Sequence, residues 1–129
     1  MKRNNSYRYP KTQREKIDGK RHYVFDKEKL PSVTTILDVT QSAEKREALA
    51  NWRASKGEAE ATRIVDESGA RGTAMHKILE MYILEQGYMD ETNVGKQAHN
   101  MAIQVIQSGL SNVTEYYGTE CTLYYPGLY

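Results

Sequence analysis

Apolar residues recur at helical spacing in the second half of the chain, at the i, i+3, i+4 and i+7 positions that give a helix one buried face. The first set consists of Met75, Ile78, Leu79, Tyr82 and Ile83. The second set consists of Val94, Ala98, Met101, Ala102, Val105 and Ile106. These two stripes predict core-facing helices over residues 73–85 and from about residue 94 to a stop near Gly109.

Helix signals also occur earlier in the chain. Ser42 can cap a helix over residues 43–56 that ends near Gly57. We expect Leu49 and Trp52 to point inward from this helix. Its outer side is basic and carries Lys45, Arg46, Arg53 and Lys56.

A third helical segment covers residues 58–68 and leads into Gly69-Ala70-Arg71-Gly72. Each glycine inside a helix costs about 1 kcal/mol relative to alanine. The pattern therefore leaves open whether the helix breaks here or continues into residues 73–85.

Strand signals lie at the two ends of the chain. Asp18-Gly19-Lys20 separates Glu15–Ile17 from Arg21–Phe25, and Asp-Gly between short strands is a strong hairpin signal. Residues 115–125 are rich in tyrosine and threonine, which predicts a strand. Pro126-Gly127 then predicts a turn that leads into a returning strand. The fold class expected from these elements is α/β or α+β, with an N-terminal hairpin, a mostly helical body and C-terminal strands.

The composition excludes several classes of protein. The chain has 129 residues, which fits one domain or a piece of a larger one, and a mean hydropathy of −0.75. No apolar run is long enough to cross a membrane, so no membrane partner is expected. The single cysteine, Cys121, excludes an internal disulfide and a cysteine-based zinc site, which predicts a reducing, cytoplasmic setting.

Charge is distributed unevenly along the chain, although the formal net charge is only +1. Residues 1–25 carry eight Lys/Arg and two Asp/Glu, whereas residues 30–129 carry eight Lys/Arg and thirteen Asp/Glu. A basic arm before an acidic body favours a polyanionic partner, because neutralised phosphates release counterions. The alternative is a solvated terminus without a partner.

His76 and Glu80 form the strongest chemical constellation in the sequence. They are separated by four residues on a predicted helix, so we expect their side chains to meet and to be partly buried beside the apolar stripe. An imidazole and a carboxylate suit a divalent metal, but Mg²⁺ or Mn²⁺ takes about six ligands. The alternative is an ordinary surface pair.

A second candidate lies at the start of a short helix that opens at Pro31 or Ser32 and ends near residue 37. Ser32, Thr34 and Thr35 cluster where free N–H groups and the helix dipole favour an anion. The alternative is simple capping. Similarly, Trp52-Arg53 could contact phosphate, or the tryptophan could belong to the core.

Three motifs in order resemble the PD-(D/E)XK nuclease superfamily, and specifically its RecB-like branch, which includes the mitochondrial genome maintenance exonuclease and phage relatives. They are LPSVTTIL at residues 30–37, LANWRASKGEAEA at residues 49–61 and ARGTAMHKILEMYI at residues 70–83. The resemblance implies the N-terminal part of a DNA exonuclease, a hydrolase that cleaves phosphodiester bonds with Mg²⁺ or Mn²⁺ during replication, recombination or repair. It also implies a bacterial or phage-infected cytoplasm.

The resemblance assigns roles residue by residue. His76 matches a histidine that helps to bind the catalytic metal, and Glu80 matches the acidic residue that follows it on the same helix. The positions expected to contact DNA or its phosphates are Ser32, Thr34, Thr35, Arg53, Arg71 and Thr73. In this interpretation residues 1–29 are a basic hairpin arm. Residues 30–129 are then the N-terminal helical part and the first core strand of an incomplete PD-(D/E)XK nuclease domain, in which that strand begins a truncated restriction-endonuclease-like mixed sheet.

The sequence departs from the family at its catalytic motifs. The family needs Gly-x-x-Asp and then Asp/Glu-x-Lys on successive strands, and neither follows the strand predicted at residues 115–125. Metal ions must create the nucleophile and stabilise the leaving oxyanion, so we expect little or no nuclease activity from residues 1–129.

Two other hypotheses remain at this point. The chain could be a non-catalytic DNA-binding module that uses its basic arm and tyrosines. It could also self-associate, because an unpaired strand edge within residues 113–129 would recruit a second copy.

Overall fold

The structure, a computed structural model, describes all 129 residues and contains four α-helices and five strands. The strands are β1 (Lys2–Arg3), β2 (Gln13–Ile17), β3 (Lys20–Phe25), β4 (Glu28–Pro31) and β5 (Glu115–Tyr116). The helices are α1 (Val33–Val39), α2 (Ala43–Lys56), α3 (Glu58–Ile83) and α4 (Asn93–Val105), the last followed by a π-helical segment at Ile106–Leu110. The fold is mixed α+β, as predicted. No helix combines the length and apolar character that a membrane crossing requires.

The chain divides into two compact units. The helical unit comprises Met1–Ser6 and Trp52–Glu120, and the sheet unit comprises Tyr7–Asn51 and Cys121–Tyr129. The boundary falls within α2.

The sheet unit is built on an antiparallel sheet with the strand order β2-β3-β4. The predicted hairpin is confirmed: Ile17 pairs with Lys20, and both turn residues have positive φ, 52° at Asp18 and 74° at Gly19. Positive φ at both positions is the type I′ geometry that matches the strand twist. β4 was not predicted, and Pro31 ends this strand opposite His22. Of the two residues predicted to open the following helix, Ser32 is the N-cap of α1.

The helical unit is built on the packing of α3 against α4. Its core contains Ile78 from α3 and Ala98 and Ala102 from α4. α3 is one helix of 26 residues, so it continues through Gly69 and Gly72. Several stripe residues are more exposed than predicted, namely Tyr82, Met101 and Val105.

Two sequence-based expectations are wrong. Leu49 does not point inward: it is 48% exposed, and α2 buries no residue. The strand predicted over residues 115–125 has only two residues, which pair in parallel with Lys2–Arg3, and no returning strand follows. A strand extends only as far as a neighbouring strand pairs with it, and Lys2–Arg3 offers two residues. The positive φ of 50° at Glu120 also departs from an extended backbone.

Candidate functional site

His76 lies on the solvent side of α3, and its side chain is 64% exposed. The expected partial burial is therefore wrong for His76, whereas Glu80 is half-buried as expected. The two side chains do not meet. His76 Nδ1 is 3.3 Å from Oε1 of Glu120, and Glu80 binds the Lys77 ammonium at 3.0 Å.

The contact between His76 and Glu120 orients the imidazole ring. When Nδ1–H donates to the carboxylate, the second ring nitrogen, Nε2, is left available to solvent or a ligand. Glu120 was missed by the sequence analysis, because a contact across 44 residues has no helical spacing to reveal it. The backbone of Glu120 is left-handed, with a φ of 50°, which is uncommon for a glutamate. The sequence does not show this conformation.

These donors do not fit a complete site for Mg²⁺ or Mn²⁺. No group of three or more His, Cys, Asp or Glu side chains lies close enough to hold a metal ion. Mg²⁺ takes about six ligands, some of them water, and usually needs more than one carboxylate. His76 and Glu120 therefore form an oriented pair that lacks further protein ligands.

The hydroxyl groups at the start of α1 are engaged in capping. Ser32 is buried, and its Oγ accepts from the Thr35 backbone N–H at 3.1 Å and lies 3.0 Å from Thr34 Oγ1. Thr35 Oγ1 donates to the Arg21 carbonyl at 3.0 Å, which connects α1 to β3. These contacts correspond to the capping alternative, with Thr34 left exposed.

The predicted basic positions of the helical unit differ in how far their charge is compensated. Arg53 binds Glu58 at 2.9 Å and Thr62 at 2.9 Å. The hydrogen bond to Arg53 holds the pKa of Glu58 below its usual value. Arg71 binds the amide oxygen of Gln97 at 3.1 Å and so keeps its charge uncompensated by a carboxylate.

Two further residues singled out from the sequence lie on α3 and α2. Thr73 is exposed on α3, one turn before His76. Arg46, predicted on the basic outer side of α2, instead donates to the carbonyls of Asp38 at 2.9 Å and Val39 at 3.1 Å. It thereby caps the end of α1.

Three exposed cations lie on one face of the hairpin, and we call Arg14, Lys16 and Arg21 the basic strip. Lys16 pairs directly with Arg21 across β2 and β3, and Arg14 is two residues before Lys16, so all three share a face. None of these three cations forms an ion pair, because no carboxylate oxygen lies within 4.0 Å of their nitrogen atoms. The nearby ion pair, between Glu15 and Lys29 at 3.1 Å, lies on the other face.

The basic strip destabilises the sheet. Like charges directly opposite each other in an antiparallel pair are destabilising. The basic net charge of this segment is apparent from the sequence, but the strip was not predicted. Counting the register outward from the Asp18-Gly19 turn would have placed Lys16 opposite Arg21.

No family model, curated protein or solved structure matches this chain. The likeness to PD-(D/E)XK nucleases therefore rests on the three sequence motifs alone.

Proposed function

We propose that this chain binds DNA through the basic strip, as the DNA-binding part of a nuclease of the PD-(D/E)XK type. The observation that carries the proposal is the direct pairing of Lys16 with Arg21, beside Arg14, without a compensating carboxylate. Cations that cost sheet stability and have no partner within the chain are best explained by an anion outside it.

The spacing of the strip suits a phosphate backbone. Alternate residues on one strand are about 6.6 Å apart, and residues opposite each other have Cβ atoms about 5 Å apart. DNA carries one charge per about 3.4 Å along each strand, so three cations in this area can neutralise two or three neighbouring phosphates. Each neutralised phosphate releases counterions, which is the main source of sequence-independent affinity.

The nuclease part of the proposal rests on His76 and its motif. An ion of Mg²⁺ or Mn²⁺ would supply an activated water and stabilise the leaving oxyanion. Glu120 would orient the His76 ring through Nδ1, which leaves Nε2 as the ring atom that could bind the metal. Because no third acidic or histidine side chain joins this pair, we expect DNA to stay intact when residues 1–129 are incubated with either metal.

The proposal is tested by measuring the affinity of fluorescent duplex DNA for three variants. We expect the triple substitution Arg14→Gln, Lys16→Gln and Arg21→Gln to weaken binding roughly tenfold or more, because three phosphate contacts are lost. The control is Lys45→Gln, Lys56→Gln and Lys96→Gln, which removes the same charge from exposed helical positions. His76→Ala should leave the affinity unchanged.

Two outcomes would contradict the proposal. An equal loss in both triple variants would mean that only net charge matters. Unchanged binding in the strip variant would exclude the strip as the DNA-binding surface.

The thermal midpoint of the strip variant should equal or exceed that of the wild type, since removing like charges relieves repulsion across the sheet.

A further inference from the structure

The outer edge of β2 has no neighbouring strand. β2 lies at one end of the strand order β2-β3-β4, so only its inner edge is paired. In β3, the carbonyl oxygen of Arg21 accepts from the Ser32 N–H at 3.1 Å and therefore points away from β2. Opposed residues in an antiparallel ladder alternate between hydrogen-bonded and non-hydrogen-bonded pairs. Lys16, opposite Arg21, therefore belongs to a pair of the second kind.

This pairing decides which backbone groups of β2 face outward. The N–H and C=O of Lys16 point to the free edge, and so do those of Arg14, two residues before it. No backbone hydrogen bond joins Arg14 or Lys16 to a residue outside the hairpin, and both residues are exposed. The edge therefore presents two N–H donors and two C=O acceptors, with the spacing that an added strand requires.

The two residues with outward backbone groups also carry unpaired positive charges. A strand added antiparallel to β2 would place one residue directly opposite Arg14 and one opposite Lys16, with Cβ atoms about 5 Å apart. Acidic residues at these two positions would attract the cations across the ladder. On the other face of β2, Glu15 is already paired with Lys29, so the intervening residue of the added strand meets no unpaired charge there.

Two other occupants fit this edge less well. If β2 of a second copy were added, every register that joins the outward groups of both copies would place cations opposite cations, which repel. Phosphate groups of DNA accept hydrogen bonds but offer no donor to the two outward carbonyls. A peptide strand supplies both donors and acceptors.

We propose that the outer edge of β2 binds an extended acidic peptide of another protein, with acidic residues at two alternate positions opposite Arg14 and Lys16. The peptide adds a fourth strand to the sheet, so its main chain supplies affinity and its carboxylates supply specificity. Peptide binding does not depend on the proposed function. One consequence does rest on it: because DNA uses the same two cations, peptide and DNA should compete.

The test measures fluorescence polarisation of the labelled peptide Thr-Thr-Glu-Thr-Glu-Thr-Thr with the full chain. N-methylation of both glutamates removes the N–H groups that would face β2 and keeps both charges, so we expect binding to weaken roughly tenfold or more. The matched control is N-methylated at the threonine that follows each glutamate. These N–H groups face away from β2, so the affinity should equal that of the parent peptide.

The charges are tested separately from the backbone. Replacing both glutamates of the peptide by glutamine should weaken binding about fivefold, because two cross-strand charge pairs are lost. The double substitution Arg14→Gln and Lys16→Gln should bind the acidic and the glutamine peptide equally well. A preference for the acidic peptide that survives in this variant would contradict the placement of its carboxylates.

Two outcomes would overturn the edge proposal. The first is that the acidic peptide does not bind at millimolar concentration. The second is that the two N-methylated peptides bind equally well, since binding would then not depend on the outward backbone groups.

Duplex DNA separates this inference from the proposed function. Displacement of DNA by the acidic peptide would support both. Peptide binding without DNA binding would overturn only the proposed function, and DNA binding without peptide binding would overturn only the edge proposal. Simultaneous binding of both ligands would contradict their shared use of Arg14 and Lys16.

Discussion

Asp90 and Thr92 close the loop that leads into α4. Thr92 is the N-cap residue: its Oγ1 accepts from the Gly95 N–H at 3.0 Å and donates to Asp90 Oδ1 at 2.6 Å. The hydrogen bonds from Thr92 lower the pKa of Asp90 below its usual value. The Asp90 backbone N–H donates to His99 Nε2 at 3.2 Å, which ties the loop to the helix that follows.

The pKa of Asp90 predicts a direction for the pH dependence of stability. Because the folded pKa lies below the unfolded one, the contribution of Asp90 is complete above the unfolded pKa and is lost as the pH falls through the folded pKa. We expect Thr92→Ala to lower the free energy of unfolding by about 1 kcal/mol at neutral pH, through the lost N-cap. Its stability should also decline less than that of the wild type between neutral and acidic pH.

Urea denaturation at neutral pH and near pH 3 measures both effects. Thr73→Ala is the matched control, because Thr73 is exposed in the middle of α3 and caps nothing. The account of the loop would be wrong if Thr92→Ala and the wild type lost the same stability on acidification.

At the scale of elements, α3 runs without a break through two glycines. A Cβ added at Gly69 or Gly72 would meet no atom within 4 Å. At Gly95 in α4, by contrast, a Cβ would overlap the carboxylate and the backbone oxygen of Asp90. The glycines of α3 are thus tolerated, whereas Gly95 is required by a close approach.

These environments predict opposite effects of one substitution. Gly69→Ala should raise the free energy of unfolding by up to about 1 kcal/mol, since alanine loses less backbone entropy in a helix. Gly95→Ala should lower it, because the Asp90 loop must move. Urea denaturation compares the two, and a destabilising Gly69→Ala would show that α3 is not continuous at that position.

Elements with local signals were predicted well from the sequence. The hairpin was found because Asp18-Gly19 fixes its own turn, and α2 because Ser42 and Gly57 mark its ends. The strand at residues 115–125 was not, since a strand depends on a partner elsewhere in the chain, and Lys2–Arg3 offers only two residues. The same limit hid the contact of His76 with Glu120, which no periodicity encodes.

At the scale of the molecule, the stability of each of the two units depends on how much apolar surface that unit buries. The buried apolar residues are few and mostly small: Leu30, Ala61, Ile78, Ala98 and Ala102. Both units therefore have small cores, whatever their arrangement.

Small cores predict low stability that a ligand or partner can raise. We expect the thermal midpoint to increase when DNA is added in excess of its dissociation constant, because a ligand that binds only the folded state stabilises it. The strip variant should show a smaller increase at the same DNA concentration. Differential scanning fluorimetry measures both, and equal shifts for the two proteins would contradict binding through the strip.

Self-association through residues 113–129 stays a prediction, but its structural basis has changed. The long strand edge expected there is reduced to Glu115–Tyr116, which is already paired with Lys2–Arg3. The remaining strand edge is only two residues long, so we expect any dimer to depend mainly on exposed apolar side chains, such as Leu123 and Leu128. Sedimentation velocity over a concentration series decides this, and a monomer at high concentration would exclude the dimer.

DNA binding by the basic strip should depend on salt in a way that can be measured with duplex DNA. The slope of log K against log salt concentration counts the phosphates neutralised, at about 0.9 for each one in duplex DNA. We predict that replacing Arg14, Lys16 and Arg21 by glutamine makes the slope shallower by about 2.7, while the matched substitutions at Lys45, Lys56 and Lys96 leave it unchanged. An unchanged slope in the strip variant, or a wild-type slope near zero, would contradict DNA binding by this face of the hairpin.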